Sequence, residues 1–230
     1  MFLFIKLSKM KKEDFIPYER PILKDEELRI NSELFLNNMS SRRSVRTFSP
    51  NTIPKKVIEN IIKTASLAPS GANKQPWTYA VISDPLLKKE IRIAAEQEEE
   101  INYNGRMSEE WLEDLKPFGT NASKPFLEIA PYLIVVFKKS YDITADGKAK
   151  NYYVNESVGL SAGFLIAAIH QAGLSCLTHT PSPLNFLEKI LKRPANEKAV
   201  LLIPVGFAAE DAKVPNISKK PLKDISVWFE

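Results

Sequence analysis

The sequence predicts a fold of the α/β or α+β class, in which helices cover a central sheet. Stretches with helical apolar spacing alternate along the chain with short apolar runs typical of buried strands. The chain has 230 residues, of which 44% are hydrophobic and 26% charged, as in an average soluble globular protein. No internal repeat, low-complexity tract or linker interrupts the pattern. We therefore expect one domain over residues 31–230, preceded by an N-terminal arm over residues 1–30.

Helix starts are marked by capping residues and by apolar spacing. Pro54 opens an amphipathic helix whose apolar stripe runs from Val57 to Ala65. Asp84 followed by Pro85 marks a second start, and we expect that helix to run towards Tyr103. Further helices are expected at residues 31–40, after Ser108, and at residues 155–172 and 186–192.

Strands are expected where apolar residues run without interruption. The six residues of Tyr132–Phe137 are all apolar or aromatic, which predicts a strand buried on both faces. The other predicted strands are residues 77–83, 174–177 and 199–207.

The counts of glycine, histidine and cysteine exclude several kinds of chemistry. The eight glycines include no Gly-x-Gly, which removes the Rossmann fingerprint and the P-loop. Two histidines and one cysteine cannot supply a four-ligand His/Cys zinc site, and no metal is expected. A Ser-His-Asp triad would lack the usual Gly-x-Ser-x-Gly turn. If the protein is an enzyme, we expect an organic cofactor to perform the difficult step.

The net charge and the cysteine count limit which partners and which cell compartment are expected. The net charge of +4 is spread along the chain, which suits small anionic ligands and argues against a nucleic-acid partner. The single Cys176 cannot form an internal disulfide, which favours a reducing compartment. No apolar run approaches the length of a transmembrane helix, so no membrane partner is expected. The expected location is the cytoplasm.

Two loop motifs could bind a ligand. Residues 41–46, Ser-Arg-Arg-Ser-Val-Arg, place three guanidiniums and two hydroxyls together, and guanidiniums bind phosphate through paired hydrogen bonds. Residues 69–77, Pro-Ser-Gly-Ala-Asn-Lys-Gln-Pro-Trp, contain a glycine that permits close approach of the backbone to a ligand. An exposed basic turn and an ordinary helix-to-strand turn are the alternative interpretations.

Two further sets of residues could bind an amino acid or an aromatic ring. Glu99 and Tyr103 are four residues apart and share a helix face, where a carboxylate and a phenol could hold a zwitterion. Lys124 is the nearest later cation that could neutralise a ligand carboxylate. Thr178-His179-Thr180 follows a predicted strand, and strand ends are common ligand sites. A solvated acidic helix face is the alternative for the first group.

Taken together, these motifs resemble the FMN-dependent nitroreductase superfamily and, within it, the iodotyrosine deiodinases. The resemblance covers about residues 33–227 and includes the arginine motif, the following helix and Ala-Pro-Ser-Gly-Ala-x-x-x-Pro-Trp. Its most specific part is Glu-Glu-Glu-Ile-Asn-Tyr-x-x-Arg-Met at residues 98–107, a segment that general nitroreductases lack.

The resemblance implies an α+β fold with a central mixed sheet, assembled as an intertwined homodimer with two FMN sites at the subunit interface. Thr180 would be the catalytic residue, with its hydroxyl bonded to flavin N5. Two positions depart from the family pattern: His179 stands in place of a threonine, and Lys219 in place of a frequent arginine. The residues implied to hold FMN are Arg42, Arg43, Ser44, Arg46, Ser70, Gly71, Thr178, His179, Thr180 and Lys219.

The implied reaction is reductive dehalogenation of a halotyrosine. Glu99 would bind the substrate ammonium, Tyr103 and Lys124 its carboxylate, and the Ala72 N–H its phenolate oxygen. The electron donor would be NAD(P)H or a reductase. The main alternative is a general FMN nitroreductase or quinone reductase that uses NAD(P)H. A non-enzymatic flavin-binding or amino-acid-binding module and a purely structural domain are the remaining hypotheses.

Overall fold

The computed structural model describes residues 15–230; residues 1–14, part of the predicted arm, lie outside the described range. The chain divides into two units, one ending at Ser40 and one beginning at Ser41. The first unit contains helix α1 (Asp25–Ser40), whose first turn is acidic, as the positive end of the helix dipole favours. Because α1 runs across residue 30, the predicted boundary between arm and domain stays a prediction.

The second unit is built on a four-stranded sheet and a separate hairpin. The sheet order is β1-β2-β6-β5, every pair is antiparallel, and β3 pairs with β4. The four-stranded sheet is therefore antiparallel where a mixed sheet was expected, and the parallel pairing between Ser44 and Cys176 is an isolated bridge outside these strand pairs. The strands are β1 (Trp77–Ile82), β2 (Tyr132–Lys139), β3 (Tyr141–Thr144), β4 (Gly147–Lys150), β5 (Ser175–Cys176) and β6 (Glu197–Gly206).

Most of the helices predicted from the sequence are present in the structure. Asp84 caps its helix by accepting a hydrogen bond from the Leu87 N–H at 2.7 Å, and Ser108 caps the next helix. A single π turn (Asn102–Arg106) follows directly after α3. The helices are α2 (Lys55–Ser66), α3 (Pro85–Ile101), α4 (Glu109–Leu115), α5 (Phe126–Ile129), α6 (Val154–Gln171) and α7 (Asn185–Ile190).

Strand β2 separates two hydrophobic cores. Ile134 and Val136 face a core formed with α2 and α6, whereas Leu133, Val135 and Phe137 face a core formed with α3, α5 and α7. All five side chains are fully buried, which confirms the predicted strand with two apolar faces. The sheet is therefore a rigid layer from whose ends the functional segments project.

Three segments converge beside the β5 edge. The arginine motif runs next to β5, where the Val45 N–H donates to the Cys176 carbonyl at 3.2 Å. Residues 178–180 leave the end of β5, and the His179 backbone pairs with Leu202 of β6. The end of α3 packs nearby through the second core. Within residues 15–230, no helix has the length and apolar character needed to cross a membrane.

Candidate active site

A cavity of about 170 Å³, here called the clamp cavity, opens where the end of α3, the segment before α5 and the segment after β5 meet. Trp111 and Phe126 supply part of its apolar wall. The structure thus brings together residues that lie up to 134 positions apart in the sequence. Its polar lining includes Arg46, Glu99, Tyr103, Lys124, His179 and Thr180.

Glu99 and Lys124 form a buried pair of opposite charges. Their side chains are 8% and 4% exposed, and Lys124 Nζ lies 3.8 Å from Glu99 Oε2. Burial raises the pKa of Glu99, while the nearby Lys124 opposes that shift. Burial likewise lowers the pKa of Lys124. Both charged forms are therefore poorly solvated, and each would gain from a ligand group of the opposite charge.

Tyr103 completes this group of three. Lys124 Nζ lies over its ring, 5.6 Å from the centroid. Both Glu99 and Tyr103 line the clamp cavity, as their four-residue spacing predicted. The helix changes to a π turn between them. The substrate roles assigned to the three residues stay predictions.

Lys124 is held from both its side chain and its backbone. Its Nζ donates to Thr120 Oγ1 at 3.0 Å and to the Asn121 carbonyl. Its main-chain N–H donates to Glu96 Oε1, and Glu96 also pairs with Arg92 one helical turn earlier, at 2.8 Å. Sequence reasoning missed Glu96 and Arg92, although their i,i+4 spacing was a visible signal.

The segment after β5 is tied to the end of α3 through one carbonyl. The Ser182 oxygen accepts hydrogen bonds from Asn102 Nδ2 at 3.1 Å and from Arg106 Nη1 at 2.7 Å. Arg106 Nη1 also pairs with Glu98 at 2.9 Å. Sequence reasoning did not find this link, because nothing in the chain indicates which carbonyl a distant arginine will meet.

Two further cavities, here called the arginine cavities, are lined by the arginine motif. The first, of about 230 Å³, is lined by Arg42, Ser44 and Thr178, and Thr178 also lines the clamp cavity. The second, of about 200 Å³, shares Arg42 with the first and adds Arg43. Cys176 lines both, and its burial raises the pKa of the thiol to about 11, so it is an unreactive buried thiol.

Arg46 lies apart from the other arginines of its motif. It lines the clamp cavity, and burial lowers its pKa. Arg42 lines the arginine cavities instead. Arg42 and Arg46 therefore reach different cavities, and the structure does not gather the predicted phosphate-binding set in one place.

Four further predicted residues line none of these cavities. Ser70, Gly71 and Ala72 form a turn near the start of α6, where the Gly71 N–H approaches Ser157 Oγ at 3.4 Å. Lys219 is exposed in the C-terminal segment. A single chain does not bring these residues to the clamp cavity.

The comparison with known proteins places the chain in a family. The nitroreductase family model matches residues 39–207. An iodotyrosine deiodinase of Haliscomenobacter hydrossis is 62% identical over 219 residues, covering 95% of this chain and 99% of that protein. The chain belongs to the iodotyrosine deiodinases of the nitroreductase family.

Other iodotyrosine deiodinases match over most of the same length. Iodotyrosine deiodinase 1 of Homo sapiens is 44% identical over 218 residues, covering 93% of this chain and 75% of that protein. A crystal structure of oxidised iodotyrosine deiodinase bound to FMN and 3-iodo-L-tyrosine matches with a TM-score of 0.71 at 29% identity. That match covers 82% of this chain and 96% of that one.

The donor set of this iodotyrosine deiodinase family member fits the FMN expected from its sequence. Arg42 and Arg43 face the arginine cavities with the hydroxyl of Ser44, which is a suitable set for a phosphate. Thr178 lines both the first arginine cavity and the clamp cavity, where Thr180 adds a second hydroxyl. A ligand with a phosphate at one end and a polar ring at the other fits the order in which these hydrogen-bond donors line the cavities.

Proposed function

We propose that this protein catalyses the reductive dehalogenation of halotyrosines with FMN as its bound cofactor. The observation that carries the proposal is the buried pair Glu99 and Lys124, in one cavity with Tyr103 and Thr180. An amino acid carries an ammonium and a carboxylate, and the two side chains offer the complementary charges. The deiodinases named among its relatives support the reaction type.

The substrate head is held by three side chains. Glu99 accepts hydrogen bonds from the ammonium, while Lys124 Nζ and the Tyr103 hydroxyl donate to the carboxylate. Because Glu99 and Lys124 are almost fully buried and lie 3.8 Å apart, a phenol without the amino-acid head would leave these charges only that long contact with each other, whereas a zwitterion gives each a close partner. The clamp therefore selects a zwitterion over a simple halophenol.

The remaining polar residues hold the cofactor and the ring. Arg42, Arg43 and Ser44 would hold the phosphate together with Lys219, and Thr178 and His179 would line the ring system; Arg46, expected at the phosphate, faces the clamp cavity instead. When bound and reduced, FMN supplies two electrons. The carbon–halogen bond breaks, halide leaves, and the ring carbon takes up one proton. The Thr180 hydroxyl donates to flavin N5, and the Ala72 N–H holds the phenolate oxygen.

The protein acts as a homodimer in this proposal, and the partner copy supplies the turn at residues 70–72. One face of α6 is exposed in the single chain and carries Gly159, Leu160, Gly163 and Phe164, with Leu160 50% and Phe164 42% exposed. An apolar helix face of this kind is normally covered. The turn lies at the start of the same helix, beside that face.

The electrons come from NAD(P)H or from a separate reductase, and the protein works in the cytoplasm. The lone buried thiol, Cys176, supports a reducing compartment. Addition of NADH or NADPH to the oxidised, FMN-loaded protein distinguishes the two donors. Bleaching of the flavin absorbance by either nucleotide identifies it as a direct donor, whereas no bleaching implies a reductase.

The reaction is tested by iodide release from 3,5-diiodotyrosine by the FMN-loaded protein, reduced with dithionite without oxygen. Release should depend on the protein and should fall about a hundredfold in kcat/KM in Glu99→Gln, because a charged hydrogen bond is lost in a buried site. Glu100→Gln, one residue further on the exposed side of the helix, is the matched control. Release no faster than with free FMN would refute the proposal and favour a general nitroreductase.

The shared site is tested with mixed dimers of Glu99→Gln and Gly71→Ala chains. If each site combines Glu99 of one chain with the turn of the other, a mixed dimer contains one intact site. Mixing and refolding two inactive variants should then restore activity. If both residues act within one chain, neither site of the mixed dimer is intact and activity stays absent.

A further inference from the structure

His179 is fixed in place by both its backbone and its ring. The His179 N–H donates to the Leu202 carbonyl at 2.9 Å, and the Leu202 N–H donates back at 3.0 Å. The imidazole is 7% exposed and packs edge-on against Phe126, with the ring centroids 5.6 Å apart and the planes at 88°. The direction of this side chain is therefore set by the fold and not by a ligand.

That direction points the ring at Glu99. His179 Nε2 is buried and has no hydrogen-bond partner among the described residues, and it lies 3.7 Å from Glu99 Oε1. The other carboxylate oxygen, Oε2, faces Lys124 Nζ. Glu99 thus has an imidazole on one oxygen and a cation on the other. A shift of less than about 1 Å would bring Nε2 and Oε1 to hydrogen-bond distance.

The imidazole is neutral in this setting. Burial, together with the positive charges of Lys124 and Arg46, lowers the pKa of His179 to about 3. Those two cations, Glu99 and Tyr103 are the titratable groups that share the cavity with it. A neutral imidazole carries one N–H, and opposite a carboxylate the hydrogen belongs on the facing nitrogen, since a lone pair there would be repelled.

We propose that His179 is a positioning residue, whose Nε2–H donates to Glu99 Oε1 and holds that carboxylate in the orientation that receives the substrate ammonium. This inference rests on the proposed dehalogenase function. Once Lys124 turns to the substrate carboxylate, Glu99 loses its cationic neighbour and keeps the imidazole. A neutral donor orients the carboxylate without cancelling its charge, so the full negative charge remains available to the ammonium.

The test compares two substitutions of equal length. His179→Gln keeps an N–H donor near the position of Nε2, whereas His179→Met has nearly the same shape and no donor. Equilibrium binding of 3-iodotyrosine and 2-iodophenol to the oxidised, FMN-loaded protein is measured by quenching of flavin fluorescence. The preference for 3-iodotyrosine should fall about tenfold in His179→Met and stay within about twofold in His179→Gln.

The pH dependence of binding gives an independent readout. Loss of a donor destabilises the ionised carboxylate of Glu99, so the acid limb of 3-iodotyrosine binding should move to higher pH in His179→Met. The substrate phenol titrates identically with all variants and cannot cause a difference between them. His179→Gln should keep the wild-type acid limb.

The wild-type protein supplies a test that needs no substitution. With only two histidines in the chain, long-range ¹H–¹⁵N spectra report both rings separately. His179 should stay in the neutral Nε2–H tautomer from about pH 8 to about pH 5. An Nδ1–H tautomer, protonation near the ordinary histidine pKa, or equal preferences in the Met and Gln variants would overturn the inference. A wild-type protein that does not prefer 3-iodotyrosine to 2-iodophenol would instead refute the proposed function.

Discussion

The Glu96 carboxylate accepts a hydrogen bond from the main-chain N–H of Lys124, with 2.5 Å between Oε1 and N. Glu96 is on α3, as is Glu99, so the same helix presents one carboxylate to the cavity and uses another to fix the residue that faces it. This hydrogen bond fixes the loop that carries Lys124 relative to the helix that carries Glu99. It therefore sets the distance between the Lys124 ammonium and the Glu99 carboxylate.

Glu96→Gln should therefore weaken substrate binding without touching the substrate. A neutral amide accepts a weaker hydrogen bond than a carboxylate and loses the ion pair with Arg92, so we expect about a five- to tenfold rise in the dissociation constant of 3-iodotyrosine. Flavin fluorescence quenching measures it. Glu90→Gln, an exposed position on the same helix, should behave as wild type. Equal affinities for the two variants would mean that Glu96 does not position Lys124.

Arg42 should contribute strongly to cofactor affinity, because it lines both arginine cavities. Arg42→Ala removes a planar set of donors from the proposed phosphate site, and we expect about thirtyfold weaker FMN binding. Arg42→Lys should lie between, since an ammonium keeps the charge and loses the paired geometry. Titration of the apoprotein into FMN, followed by fluorescence, gives the affinities. Lys63→Ala, an exposed residue of α2, is the control, and Arg42→Ala should not resemble it.

Gly71 cannot accept a side chain without movement of its neighbours. A Cβ at this position would lie 2.8 Å from Tyr153 Cδ2 and 3.2 Å from the Tyr152 carbonyl oxygen. Gly71→Ala should lower the free energy of unfolding by about 1–3 kcal/mol, as measured in urea. In a chain that already carries Tyr153→Ala, which removes the colliding ring, Gly71→Ala should lower the free energy of unfolding by less. If Gly71→Ala lowers it equally in both backgrounds, the collision with Tyr153 is not the cause.

His179 should make the protein sensitive to mild acid. Its pKa is about 3 in the folded chain and 6.5 as the ordinary value, so between these values the unfolded chain binds the extra proton. The free energy of unfolding therefore falls as the pH decreases below 6.5, by about 2 kcal/mol at pH 5 from this residue. His179→Gln should lose about that much less stability between pH 7 and pH 5 in urea unfolding. A loss of stability in His179→Gln as large as in the wild type would contradict the assignment.

The strands and helices with strong apolar patterns were predictable because burial dictates those patterns locally. The two faces of β2 and the stripe of α2 are examples. The hairpin of β3 and β4 was missed, because its strands are four residues long and largely exposed, so burial selects no alternation. Strand β5 is only two residues long, where four were expected.

The site was predictable only where sequence spacing controls geometry. Glu99 and Tyr103 lie four residues apart, and one helical turn brings them together. The approach of Lys124 depends on how the chain around α4 returns to α3, and the separation of Arg46 from Arg42 depends on the path of the backbone between them. The direction of the His179 ring depends on pairing with Leu202, 23 residues later. These are tertiary relationships that leave no local pattern.

The two hydrogen bonds to the Ser182 carbonyl have a mechanical consequence. They join the π turn that follows α3, the helix of Glu99, to the loop that carries Thr180, two residues before Ser182. Neither element can shift far without pulling on the other. If the proposed function is right, binding of an amino-acid head at Glu99 and Lys124 would therefore be coupled mechanically to the position of the Thr180 hydroxyl, and a ring without that head would meet a less well aligned site. Selectivity of this kind is expressed in turnover as well as in binding.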